Sequence, residues 1–163
     1  MSLARPILIL GGIALAVWGM GYGLWYAVFA EHQTLDTIGG SLSSAFTAAA
    51  ERNDAAITPD MNQYRETKYA YDRQVDVHSH WIGLAMLLIF LGIIFDRVPW
   101  SRRAQSWLAF ALLLGAILFP LGVQLQIWSH GPFPRAVAIA GSALEIAALA
   151  LVALAFLRSL SRS

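Results

Sequence analysis

Four long apolar runs divide the chain, at residues 6–30, 81–95, 107–128 and 133–157. A helix needs about 20 residues to cross the hydrocarbon of a bilayer. The second run is short by that measure, and it reaches the length by recruiting residues 78–80 before it and 98–100 after it. A segment in lipid must satisfy its own backbone hydrogen bonds, which selects helices. The pattern therefore predicts an all-α protein. It is a four-transmembrane-helix bundle with spans at about 6–30, 78–98, 105–129 and 134–158. Val28-Phe29-Ala30 has the small-residue spacing of a signal-peptide cleavage site. The apolar run before it is longer than a signal peptide's, so a retained span is expected.

Residues 31–77 are too polar to lie in lipid and contain one proline. Thr58-Pro59-Asp60 reads as a helix start: a cap, a proline in the first turn, then an acid near the positive helix end. No breaker follows before Gly83, so one helix is predicted from about Pro59 to Phe95. The first helix carries a seam at alternating spacings of three and four through Trp18, Gly21, Trp25, Val28, His32, Leu35, Gly39, Leu42 and Phe46. The second carries a matching seam through Tyr64, Lys68, Tyr71, Val75, His78 and Ile82. Such repeats favour knobs-into-holes packing. Folding the two antiparallel about residue 55 extends both helices outside the membrane as a helical hairpin. It sets Gly39 opposite Tyr71 and His32 opposite His78. Gly39-Gly40 offers an alternative, a break in the first helix, since glycine costs about 1 kcal/mol there.

Composition agrees with the membrane reading: 58% of residues are apolar and 13% charged, against about a quarter charged in soluble domains. A net charge of +1 gives no basis for nucleic-acid binding. Cysteine is absent, which excludes disulfides, thiolate catalysis and Cys-ligated metal centres. Arg5, Arg97, Arg102, Arg103, Arg158 and Arg162 share one side of the predicted bundle with a single acid, Asp96. The other side carries Arg52, Arg65, Lys68, Arg73 and Arg135 among many acids. The positive-inside rule then predicts both termini in the cytoplasm of a bacterial inner membrane, with segment 31–77 outside.

The chemistry on offer is sparse. All four histidines, His32, His78, His80 and His130, fall at the outer boundary of the spans. Imidazole is the commonest metal ligand and the usual axial ligand of haem b. His32, His78 and His130 are the expected metal ligands, with His80 as a fourth ligand or a supporting partner. Facing helices about 8–10 Å apart suit one copper or zinc ion. Haem b would need diagonal helices, as between His32 and His130. Histidines also suit a membrane interface with no cofactor at all. Glu145 lies near the middle of the fourth span, and an intramembrane carboxyl is a candidate for proton or ligand handling. It could instead hydrogen-bond Gln124 or Ser142. Pro120 should free the carbonyl of Ala116 beside them. No catalytic triad, phosphate loop or nucleotide motif is present, so catalysis by this chain alone is not expected.

Asp76-Val77-His78-Ser79-His80 followed by Gly83 resembles the His-x-His pattern at the outer end of spans in small haem-bearing membrane proteins related to the haem–copper oxidase main subunit. The resemblance covers about a dozen residues. It implies haem binding at His78 or His80. It also argues against oxygen reduction, because the further histidines of a binuclear centre are missing. Three functions are open on this reading. The first is a haem b or metal protein in electron transfer or small-ligand sensing. The second is a non-catalytic small subunit of a larger respiratory or transport complex. The third is a copper-delivery or assembly protein. Expected partners are the lipid bilayer, subunits of such a complex, or a redox partner outside the membrane.

Overall fold

A computed structural model describes residues 3–160; Arg162 lies outside them. Five helices follow one another: α1 (Ala4–Phe29), α2 (Glu31–Ala50), α3 (Asp54–Ile94), α4 (Arg102–Leu125) and α5 (Pro132–Leu160). The segments Ala4–Phe29, Asp54–Arg97, Arg102–Leu125 and Pro132–Ser159 are long and apolar enough to cross a membrane. The all-α, four-span expectation holds among the described residues.

Local chemistry sets the helix ends. Asn53 caps α3, its side chain accepting from the Ala56 N–H, and Ser101 caps α4 by accepting from Ala104. Such caps satisfy donors that the first helical turn leaves unpaired. Arg52 adopts a left-handed backbone, φ 58°, and turns the chain between α2 and α3. Pro59 then sits inside α3 rather than at its start. This corrects the start expected at Thr58–Asp60. A proline so near the N-terminus removes a single intrahelical bond, so the cap at Asn53 prevails. Gly39 and Gly40 lie within α2 and break nothing. The break falls at Ala30, with φ −128° and ψ −33°.

α3 is the centre, packed against α1, α2 and α4, while α5 packs mainly on α4. Leu8, Leu88, Leu112 and Phe95 are among the fully buried side chains. α1 and α3 run antiparallel: Gly12 lies against Ala85 and Ile89, Gly19 against Trp81, and Gly23 against His78. These pairs overturn the expected register. His78 meets Gly23 of α1, nine positions before His32, an offset of roughly 13 Å along a helix. Tyr71 stacks near Tyr26, ring centroids 6.5 Å apart, and an added side chain at Gly39 would meet nothing within 4 Å. The earlier start of α3 and the break at Ala30 together account for the slip. At the end of the bundle away from α2, Arg5 pairs with Asp96 at 3.7 Å. There Gln105 Nε2 donates to the Val98 carbonyl at 2.8 Å.

Candidate functional site

The histidines occupy four separate surroundings. His78 Nδ1 lies 3.0 Å from the Gly19 carbonyl. A carbonyl only accepts, so Nδ1 donates in this contact. His80 repeats this within α3, its Nδ1 donating to the Asp76 carbonyl at 2.6 Å. Its ring meets Phe119 of α4 edge-on, 4.5 Å between centroids. His130 packs against Tyr69, centroids 4.8 Å apart. Tyr69 and His80 are eleven positions apart on α3, roughly 16 Å of helix rise. His32 stands in solvent, its side chain 89% exposed, with Asp36 at 3.6 Å as its neighbour. Among the described residues no group of three His, Asp or Glu side chains is placed to hold a metal ion.

The backbone bonds of His78 and His80 are of the kind that orient metal-ligating histidines. The hollow next to His78 measures about 220 Å³ and is bounded by Gly23, Tyr26 and Glu31. Among the described residues His32, His78 and His130 do not converge on one point.

Asp72 and Asp76, eight and four positions before His80, are engaged along α3. Asp72 accepts from Lys68 at 2.5 Å and Asp76 pairs with Arg73 at 3.3 Å. The Asp72 hydrogen bond holds the Lys68 ammonium above the usual lysine range.

A larger opening lies where α1, α3 and α4 meet. It encloses about 600 Å³, and Trp18, Gly21 and Trp25 of α1 form one wall. Trp128, just after α4, also lines it. Tyr22 donates from its hydroxyl to the Gln74 carbonyl oxygen across α1 and α3, and both residues line the floor together with Gln124. The three tryptophans are exposed, so in a bilayer the opening faces lipid. Gln124 is the one expected polar residue that this opening contains. Trp18, Tyr22, Trp25 and Gln74 were assigned elsewhere or passed over in the sequence. Their signal was the aromatic row at 18, 22 and 25 around Gly21, which reads equally as a packing seam.

Glu145 lies far from Gln124, in the seam between α4 and α5. Its carboxyl packs over Gly115, where an added Cβ would stand 2.8 Å from Oε2. Both carboxyl oxygens are buried, with no hydrogen-bond partner among the described residues. Ser142 donates instead to the Ile139 carbonyl, so neither expected partner serves Glu145. Comparison with known proteins adds no family to this geometry: no protein-family model, no curated protein and no solved structure matches the chain.

Proposed function

We propose that this chain is a membrane-embedded binding protein for a small amphipathic molecule that enters from the lipid, with the α1–α3–α4 opening as its site. The observation that carries this reading is the groove of about 600 Å³ with tryptophan walls and a polar floor. Small-molecule sites are concave, mostly apolar, and carry a few placed polar groups. Indole rings suit a flat ring by stacking. The Gln74 amide hydrogens and the Gln124 amide offer hydrogen bonds to ring oxygens. An open lipid-facing edge leaves room for an apolar tail. These features together favour a ring bearing carbonyl or hydroxyl oxygens on a hydrocarbon chain, the quinone class. Small-ligand binding near one face of the membrane is retained from the sequence reading, while the histidines recede to structural roles. No imidazole lines the groove, so haem is not the ligand we propose there.

A short-chain ubiquinone analogue titrated into the protein in lipid nanodiscs tests the reading. Tryptophan fluorescence should quench with saturation. Gln124→Leu should weaken binding by about threefold to tenfold, the range expected when a hydrogen bond worth about 0.5–1.5 kcal/mol is lost. Trp25→Ala should weaken it further. Quenching that rises linearly without saturation and is the same in both variants overturns the assignment.

A further inference from the structure

A second polar feature lies in the membrane part of the bundle, away from the groove. Glu145 is the fourteenth of the 29 residues of α5, and Gly115, against which it packs, is equally central in α4. The residue is 4% exposed, and neither carboxyl oxygen has a partner. One position along α4 from that contact, Ala116 is fully buried. Its carbonyl lacks an intrahelical donor, because the residue four positions on is Pro120 and proline has no N–H. Among the described residues the Glu145 carboxyl is without a partner, at a depth where lipid offers no water.

We propose that Glu145, packed over Gly115, forms a proton-binding site in the hydrocarbon core. A protonated carboxyl removes the cost of an isolated buried charge. Metal cations fit poorly. Calcium takes six to eight oxygens and magnesium near-octahedral coordination, whereas no group of three His, Asp or Glu side chains gathers here among the described residues. No other charge sets the state of this acid. α5 packs mainly on α4, and the charged residues of α4, Arg102 and Arg103, stand at its far N-terminus. On α5 itself Arg135 and Arg158 are ten and thirteen positions away, roughly 15 and 20 Å of helix rise. Gly115 makes the site possible, since a side chain there would occupy the place of Oε2.

The test is labelling of the full chain in nanodiscs with dicyclohexylcarbodiimide, a lipid-soluble reagent that needs a protonated carboxyl. The acid proton passes to a carbodiimide nitrogen and the carboxyl oxygen bonds to the central carbon. An oxygen-to-nitrogen acyl shift then leaves an N-acylurea that carries the whole reagent. Peptide mapping should find the adduct on Glu145 at mildly acidic pH. On the alkaline side its yield should fall about tenfold for each pH unit, as expected for a single titrating group. A water-soluble carbodiimide should spare Glu145 and mark acids such as Glu66. Glu145→Gln should lose the adduct while keeping its helix content. No adduct on Glu145 in the wild type, or a yield unchanged from acid to alkaline pH, overturns the proposal. Protection by sodium at constant pH overturns the proton as the ligand.

Discussion

Gly23 carries no side chain because the His78 ring lies over it. A Cβ at that position would fall 2.4 Å from the ring's Cε1, and the ring is held by its bond to the Gly19 carbonyl. Gly23→Ala should therefore turn the imidazole away and destabilise the protein by roughly 1–3 kcal/mol, as overpacking does. His32→Ala should change stability by less than about 0.5 kcal/mol, because an exposed i,i+4 pair contributes little. Thermal unfolding in detergent compares the two, and a larger loss from His32→Ala contradicts the described placement. The depth of the histidines was partly legible in the sequence, since each borders an apolar run. Their direction was not. His78 and His80 differ by about 200° around one helix, so one faces α1 and the other α4. Only the true start of α3 decides what each then meets.

At the level of elements, apolar length carried the reading well: the four helices long and apolar enough to cross a membrane were legible, although α3 starts at Asp54, ahead of its expected start. The register between helices was not legible, because it depends on features worth little individually. One is the Asn53 side chain capping α3, another the left-handed Arg52, and the third the break at Ala30. Each is a single-residue choice, and the seam periodicity is satisfied by several slips of one or two turns. The groove was hidden for the same reason. Trp18, Tyr22 and Trp25 form a helical row whether they pack on α3 or wall a cavity. A double-mutant cycle on Tyr22→Phe and Gln74→Leu tests the register directly. The two should couple by about 0.5–1.5 kcal/mol, the worth of their hydrogen bond. His32→Ala and His78→Ala should add within about 0.5 kcal/mol. Coupling in the second pair and none in the first would restore the register with His32 opposite His78.

For the whole molecule, orientation is the property that gives the sites a side of the membrane. Arg5, Arg97, Arg102, Arg103 and Arg158 mark one end of the bundle, and on the positive-inside rule we propose that this end faces the cytoplasm. In a bacterial host, a reporter fused after Ser101 should register as cytoplasmic and one in the turn at Asn53 as external. The reverse result would turn the tryptophan groove toward the inner leaflet. The manner in which α5 is attached adds a dependence on the lipid itself. Between Arg135 and Arg158 it holds 22 residues, about 33 Å, against roughly 30 Å of hydrocarbon. In a thinner bilayer such a stretch is accommodated by tilting. α1, α3 and α4 clasp one another, whereas α5 leans on α4 and tilts at the cost of one seam. Acyl-chain length thereby sets the lean of α5, and with it the depth at which Glu145 rides below the membrane surface.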